Sequence, residues 1–203
     1  MSSPAEIQKL VIASGNAGKL REIRYLLEPL GIQVLPQSAF NITEVEEPYC
    51  TFLENALAKA RHASKSSGLP ALADDSGICV NALNGGPGVY SARYAGESKS
   101  DEQNNQKLVD VLRNQPNRKA HYYCIIVLVR HADDPQPIIA DGTWHGEIIL
   151  EPRGEGGFGY DPYFLLPNLG KTAAELPMEK KNQISHRGKA LAQLAERIRE
   201  ETF

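Results

Sequence analysis

Two adjacent carboxylates, Asp74 and Asp75, are the residues whose chemistry first stands out in this sequence. They follow a short apolar run at residues 69–73, which is typical of a buried strand, and Ser76 and Gly77 come directly after them. A carboxylate is costly to bury without a partner, so two of them side by side require a cation, a proton or open water. Asp-Asp-Ser-Gly is also a good turn sequence, and a solvated turn is the alternative.

A glycine-containing segment at residues 14–19 joins a predicted strand to a predicted helix. Its residues are Ser14, Gly15, Asn16, Ala17, Gly18 and Lys19. Free backbone N–H groups at a helix N-terminus can bind a phosphate, and Lys19 would add a positive charge. The spacing is not that of a Walker A loop, because only two residues separate Gly15 from Gly18. A plain strand-to-helix connection with a surface lysine is the alternative.

A second glycine-rich segment ends in two aromatic residues and an acid. Four glycines between positions 154 and 159 surround Phe158, and Tyr160 and Asp161 follow. Glycines let the backbone approach a ligand closely, and an aromatic ring among them can stack on a flat base. Asp161 can accept hydrogen bonds from a base edge. A flexible loop with a buried phenylalanine is the alternative interpretation.

Polar side chains also precede the last predicted helix, which we place at residues 188–201. Ser185, His186 and Arg187 lie at or near its N-terminus, where anion binding is favoured. An ordinary capped helix start explains the same residues. Lys59 lies on an earlier helix, which a Thr51–Glu54 capping box predicts to start after Thr51.

The elements that must position these residues indicate an α/β fold. Apolar runs predict strands at residues 9–13, 32–35, 69–73 and 78–83, and a longer strand at residues 120–130. Residues 137–140 and 143–150 are predicted as two further strands joined by an Asp141-Gly142 hairpin turn. The helix after residue 19 completes a strand–helix–strand opening. We expect a central mixed sheet flanked by helices, in a single domain over residues 1–203.

Composition limits the class of protein. The chain has 203 residues, a net charge of −3, 41% hydrophobic and 23% charged residues, all ordinary for a globular protein. We expect no nucleic-acid partner, because there is no polycationic face, and no membrane span, because no apolar run is long enough. Three cysteines, far apart in sequence, argue against a disulfide framework and a cysteine zinc site. With no recognisable signal peptide, a cytoplasmic location is expected.

Taken together, the motifs resemble the inosine/xanthosine triphosphate pyrophosphatase family, which hydrolyses non-canonical purine nucleoside triphosphates. The resemblance covers nearly the whole chain, apart from a slightly long leader at residues 1–8. Each motif is weak alone, whereas all of them in this order are a strong signal. The segments that carry it are 14–19, 51–55 with Lys59, 73–77, 87–93, 156–161 and 185–187. Family members often have threonine where Ser14 stands, and the hydroxyl is kept.

The family resemblance implies two lobes with a deep nucleotide-binding cleft, a homodimer, and Mg²⁺-dependent hydrolysis to the monophosphate and pyrophosphate. It implies Asp75 as the general base and Glu47 and Asp75 as the Mg²⁺ ligands. It assigns Ser76, Lys59 and residues 14–19 to phosphate binding. The residues similar to the family's base- and nucleotide-binding set are Phe158, Gly159, Tyr160, Asp161, Lys181, His186 and Arg187.

The chemistry of the residues agrees with this resemblance. Mg²⁺ prefers carboxylate, water and phosphate oxygens, and metal-bound water is easier to deprotonate, so we expect Asp75 to act on such a water. Lys19, Lys59 and Lys181 supply positive charge for the phosphates. We expect His186, Arg187 and backbone N–H groups to read the 6-oxo side of the base, with Phe158 stacked on the ring.

Three rival functions are compatible with parts of the pattern. One is a pyrophosphatase for other modified nucleotides, which would differ in its order of substrates. Another is a nucleotide-binding regulator without turnover, although a regulator has no need of a water-activating carboxylate. The third is a structural or nucleic-acid-binding module, which the net charge and the lack of basic aromatic patches disfavour.

Overall fold

A mixed sheet with helices around it forms the fold. The computed structural model describes residues 7–43, 45–97 and 100–201, so most of the predicted leader lies outside the described residues. The strands are β1 (Lys9–Ile12), β2 (Gln33–Pro36), β3 (Ala71–Val80), β4 (Lys119–Val129), β5 (Ile138–Ile148), β6 (Phe164–Leu166) and β7 (Lys171–Thr172). The α-helices are α1 (Ala17–Leu27), α2 (Phe52–Ser67), α3 (Asp101–Leu112), α4 (Met178–Ile184) and α5 (His186–Glu201). Short 3₁₀ helices lie at Glu28–Leu30, Gln37–Phe40, Asn81–Leu83, Gly88–Arg93, Asp161–Tyr163 and Ala173–Glu175.

Within the described residues, the strand order is β2-β1-β3-β4-β5-β6-β7. β1 pairs in parallel with β2 and β3, placing Leu10 opposite Val34, whereas β6 pairs antiparallel with β5 and β7. The predicted α/β class and mixed sheet are therefore confirmed. No helix in the described part of the chain is long and apolar enough to cross a membrane.

Helix starts follow the capping chemistry of the sequence. Asn16 caps α1, since its side-chain oxygen accepts hydrogen bonds from the N–H groups of Gly18 and Lys19 at 2.9 and 3.0 Å. The Thr51 hydroxyl accepts from the Glu54 N–H at 3.2 Å and starts α2, as predicted. Gly68, with φ of +70°, ends that helix in the left-handed conformation that glycine adopts without strain.

One alternative interpretation and one prediction from the sequence are wrong. Asp74, Asp75, Ser76 and Gly77 do not form a turn but lie in the middle of β3, which also includes the first half of the strand predicted at residues 78–83; the second half is a 3₁₀ helix. The predicted Asp141-Gly142 hairpin is absent, since both described residues lie inside the continuous strand β5. A two-residue hairpin turn needs left-handed φ angles, which neither residue has.

Contacts divide the chain into two compact units. The first unit comprises the chain up to Asp75, residues 124–141 and the chain from Arg187 onward; the second comprises residues 76–123 and 142–186. In the first unit, apolar side chains of α1 and α5 share a core with those of β1, β2 and the first part of β3. In the second unit, the core includes Tyr122, Trp144 and Phe164 with apolar residues of α3.

Candidate active site

The carboxylate of Asp74 is buried in the first unit between two cations. Its Oδ2 atom lies 3.0 Å from Lys19 Nζ and 3.3 Å from Arg187 Nη2, and the residue is 2% exposed. Burial acts to raise the pKa of Asp74, but Lys19 and Arg187 outweigh it and hold that pKa well below the ordinary value. Asp74 therefore remains ionised, which explains why it tolerates a strand position.

Asp75 faces a different set of partners in the same unit. Lys59 Nζ lies 3.5 Å from Asp75 Oδ1 and 2.5 Å from Glu47 Oε1, and Asn55 donates a hydrogen bond to Asp75 Oδ2 at 3.2 Å. Burial raises the pKa of Asp75; Lys59 opposes this effect, and the negative charge of Glu47 adds to it. Burial acts to lower the pKa of Lys59, but Asp75 and Glu47 outweigh it and raise that pKa. Two carboxylates thus share one ammonium group.

The predicted phosphate loop differs in detail from its expectation. The N–H groups of Gly18 and Lys19 donate to the Asn16 side chain, and the Asn16 N–H donates to Ser14 Oγ at 3.2 Å. These three donors are therefore already hydrogen-bonded within the loop, contrary to the free N–H groups expected from the sequence. Lys19 points its ammonium group to Asp74.

In the second unit, Asp161 organises the glycine-rich segment. Its Oδ2 atom accepts hydrogen bonds from Lys181 Nζ at 2.6 Å and from the Phe158 N–H at 2.9 Å. Lys181 Nζ also lies 4.5 Å from the centroid of the Phe158 ring, within cation–π range. Asp161 and Lys181 are buried, whereas Phe158 is 39% exposed, so its ring remains accessible to a planar ligand.

Side chains of helix α3 bind the backbone of the same segment. The Gly159 N–H donates to Asp101 Oδ2 at 2.8 Å, and the Gly159 carbonyl accepts from Asn105 Nδ2 at 2.9 Å. The Tyr160 hydroxyl donates to the Ser91 carbonyl at 2.7 Å. A Cβ atom at Gly157 would collide with the carboxylate of Asp161. Hydrogen bonds and close packing therefore hold this segment, and Phe158 is partly exposed, contrary to the buried phenylalanine of the flexible-loop interpretation.

His186, the first residue of α5, lies among aromatic rings of the second unit. Its imidazole stacks on Tyr122 with centroids 4.7 Å apart and planes 8° apart, and lies 6.3 Å from Trp144. The Tyr122 hydroxyl donates to Asp161 Oδ1 at 3.4 Å. The next residue, Arg187, belongs to the first unit and also forms an ion pair with Glu22 at 2.5 Å. The predicted helix start is confirmed.

The structure therefore groups most predicted site residues into two sets. The charged set, in the first unit, contains Lys19, Glu47, Lys59, Asp74, Asp75 and Arg187. The aromatic set, in the second unit, contains Phe158, Asp161, Lys181 and His186, with Tyr122. Ser76 lies half-buried on β3.

Several residues that contact these sets were not among the site residues predicted from the sequence. They are Glu22, Asn55, Asp101, Asn105 and Tyr122. Each lies within an amphipathic helix or a strand, where its residue type is common. The period-two alternation of β4 directs Tyr122 to the covered face, but that pattern alone does not name its partners.

Few carboxylate oxygens in the charged set are available to bind a metal ion. Among the described residues, no cluster of three or more histidine, cysteine or acidic side chains could hold a metal ion. Glu47 and Asp75 provide two carboxylates around one ammonium group. Such a pair suits a hard cation that completes its coordination with water and phosphate oxygens.

The fold and the two sets define an α/β protein with buried paired charges in one unit and an aromatic, acid-anchored set in the other. The sequence model of the Ham1 family matches residues 10–197, and the chain belongs to this family. A dITP/XTP pyrophosphatase of Nitrosomonas europaea is 67% identical over 194 residues, which are 96% of each chain. The corresponding protein of Ralstonia nicotianae is 64% identical over 95% of this chain and 98% of its own.

Solved structures agree with this assignment. A HAM1 protein from Coxiella burnetii has a TM-score of 0.90 and 49% identity, over 95% of this chain and 98% of its own. The Staphylococcus aureus Ham1 protein has a TM-score of 0.86 and 43% identity, over 95% and 99% of the two chains.

Proposed function

We propose that the protein hydrolyses non-canonical purine nucleoside triphosphates, namely ITP, dITP and XTP, to the nucleoside monophosphate and pyrophosphate. The observation that carries this proposal is the identity of 67% over 96% of both chains to a relative named dITP/XTP pyrophosphatase. At that level of identity and coverage, the same reaction is the simplest function. Removal of such nucleotides from the nucleotide pool would follow from it.

Asp75 is the proposed general base. Its carboxylate shares the Lys59 ammonium group with Glu47, so it lies beside the proposed metal position, where it could take the proton of a water that the metal would acidify. Asn55, donating to Oδ2, fixes the orientation of the carboxylate. Water would attack the phosphoanhydride, the proton would pass to Asp75, and the bond between monophosphate and pyrophosphate would break.

Glu47 and Asp75 are the residues that would hold Mg²⁺. Their carboxylates are hard oxygen ligands that share a single ammonium group, so a further positive charge between them is electrostatically favoured. Bound Mg²⁺ would supply charge neutralisation for the phosphates and acidify a bound water. Lys59, held by both carboxylates, would lie close to the same phosphates.

Phosphate binding in the proposal relies on charge and on loop geometry. Lys19 and Lys59 lie in the first unit with residues 14–19, and each is paired with a carboxylate. Phosphate oxygens would compete for these ammonium groups and for the N–H groups around Asn16. Ser76, next to Asp75, is the proposed hydroxyl donor to the phosphates.

Recognition of the base falls to the aromatic set. The half-exposed ring of Phe158 would stack on the purine, while Asp161, Lys181 and His186 would bond its edge. Lys181 contacts both Asp161 and Phe158, so it is the cation that links stacking to hydrogen bonding. Gly159 and Tyr160 belong to the same proposed set, and Arg187 is proposed to read the 6-oxo side.

The test is to measure pyrophosphate and orthophosphate release from ITP, XTP, ATP and GTP, with and without Mg²⁺. Wild type and Asp75→Asn are compared, with Asp134→Asn as a control, because Asp134 is also buried and paired but belongs to neither set. Pyrophosphate from ITP and XTP, lost without metal or in Asp75→Asn alone, is expected. Orthophosphate as sole product, or binding without turnover, would contradict the proposal.

We also propose that the protein acts as a homodimer in the cytoplasm. The three cysteines are unpaired, with Cys79 and Cys124 buried, which suits a reducing compartment. Sedimentation at micromolar concentration would test the dimer; a monomer there would contradict it.

A further inference from the structure

One aromatic side chain contacts two different members of the aromatic set. Tyr122 lies on β4 and is 8% exposed. Its ring stacks on His186, and its hydroxyl donates to Asp161, although these residues are far apart in sequence and lie on different elements. A single side chain therefore links the imidazole to the carboxylate.

The ring of Tyr122 is itself held in place. Phe164 meets it edge-on at 4.7 Å and 61°, and Trp144 lies 6.4 Å away in a nearly parallel orientation. Such packing leaves little rotational freedom, so the plane of the tyrosine sets the plane of the stacked imidazole. The 8° angle between the rings is what this restraint produces.

The Tyr122 hydroxyl and the Lys181 ammonium group bind different carboxylate oxygens of Asp161. Tyr122 donates to Oδ1, while Lys181 and the Phe158 N–H donate to Oδ2. Donors on both oxygens fix the rotation of the carboxylate about its own axis. Burial raises the pKa of Tyr122 well above its usual range, so the hydroxyl keeps its proton at any physiological pH.

We propose that Tyr122 is a positioning residue for base selection, which holds the His186 imidazole and the Asp161 carboxylate in one fixed relation. This inference rests on the proposed function. A 6-oxopurine could accept a hydrogen bond at its 6-oxo oxygen from the imidazole and donate its N1–H to the carboxylate, whereas adenine, with a 6-amino group and an unprotonated N1, would meet mismatched groups that cannot turn to adapt. Fixed polar groups discriminate between such analogues better than mobile ones.

Two substitutions separate the two contacts. Tyr122→Phe removes the hydroxyl and keeps the stacked ring, whereas Tyr122→Leu removes both. Tyr163→Phe is the matched control, because Tyr163 packs partly buried against the same apolar core. For each protein, kcat and KM are measured with ITP and with ATP, together with the thermal unfolding midpoint.

In Tyr122→Phe, KM for ITP should rise about threefold to tenfold, the cost of one hydrogen bond, a modest value because the contact is long at 3.4 Å. Its kcat for ITP and its KM for ATP should stay within about twofold of wild type, so the ITP preference falls. Tyr122→Leu should lose more of that preference, and Tyr163→Phe none.

An equal fall of kcat on both nucleotides, with the preference intact in Tyr122→Phe, would show a merely structural role and overturn the inference. Because Tyr122→Phe conserves the packed ring, it decides the matter even if Tyr122→Leu does not fold. A wild-type protein that releases no pyrophosphate from ITP would instead overturn the proposed function, and with it this extension.

Discussion

The charged set and the aromatic set both contain buried polar groups, but different contacts stabilise these groups in each set. In the charged set, Asp74 pairs with Lys19 and Arg187, while Asp75 and Glu47 share the single ammonium group of Lys59. In the aromatic set, one pair, Lys181 with Asp161, is surrounded by rings and backbone hydrogen bonds. Charge density in the first suits phosphates, and planar surfaces in the second suit a base.

This difference implies a division of labour that can be tested. Substitutions in the charged set should change rate or stability for every nucleotide alike, except at Arg187, which is also proposed to read the 6-oxo side of the base. Substitutions in the aromatic set should change the choice between nucleotides. A substitution that does the opposite would show that the two sets are not functionally separate.

The largest effect is expected from Arg187→Met. Arg187 is 2% exposed and pairs with both Asp74 and Glu22. Its loss leaves buried carboxylates with one cation fewer, which typically costs about 3–5 kcal/mol of unfolding free energy. Urea denaturation measures this, with Lys189→Met, an exposed position on the same helix, as control.

Arg187→Met also tests the selectivity between ITP and ATP. If it reads the 6-oxo side as proposed, the protein that remains folded should also lose part of its ITP preference. Unchanged stability together with unchanged preference would remove Arg187 from both roles.

Lys59→Met should give the next largest effect. Without this ammonium group, Glu47 and Asp75 repel one another and the phosphates lose a cation. Loss of one such charge typically lowers kcat about 100-fold, and the fall should be equal for ITP and ATP. Steady-state kinetics with saturating Mg²⁺ measures it. Lys65→Met, exposed in the last turn of the same helix, should keep wild-type rates. A change confined to ITP would break the division of labour.

Lys181→Met tests the aromatic set in the same way. Its ammonium group bonds Asp161 and lies over Phe158, so its loss frees the carboxylate and the ring together. The ITP preference over ATP should fall about tenfold, the value of one charge-assisted hydrogen bond. Competition kinetics with both nucleotides gives this ratio directly, and Lys180→Met, exposed on the same helix, is the control. An equal loss on both nucleotides would place Lys181 with the phosphates.

The sequence predicted the α/β class, the helices α1, α2 and α5 and the segments that carry the two sets, because these depend on local signals, whereas the short helix α4 was not predicted. Apolar periodicity identified α1 and α5, and the Thr51 cap marked the start of α2. It left a solvated turn open as an alternative for residues 74–77, because the lysines that pair with the two buried carboxylates, Lys19 and Lys59, are distant in sequence. The local sequence does not identify partners that lie far away in the chain.

The same reasoning explains what was missed in the candidate site. Tyr122 acts through a stacked imidazole 64 positions later, and Asn105 through the carbonyl of Gly159. Both are ordinary residues for a strand and a helix. The roles of these two residues become evident only from their tertiary contacts. Asp141 and Gly142 show the converse, where a strong local turn signal yields to the pairing of a long strand.

Asp134 is a buried charge that belongs to neither set. Its substitution is expected to have the smallest effect. Its carboxylate accepts from Arg130 Nε, the Arg130 N–H and the Gln136 N–H, each at 2.9 Å. Burial acts to raise the pKa of Asp134, but these hydrogen bonds outweigh it and lower the pKa to about 2 from 3.8. Since the folded pKa is the lower one, the carboxylate stabilises the fold above pH 4, and this contribution disappears as pH falls towards 2.

Asp134→Asn should therefore cost about 1 kcal/mol of unfolding free energy at neutral pH, a modest value because Arg130 is partly exposed to solvent. The difference from wild type should shrink between pH 4 and 3 in urea titrations, and Asp133→Asn, exposed beside it, is the control and should keep wild-type stability at neutral pH. Pyrophosphate release should be unchanged at neutral pH. A fall in turnover as large as that of Lys59→Met would mean that buried charge in the first unit governs rate in general, and the charged set would lose its special status.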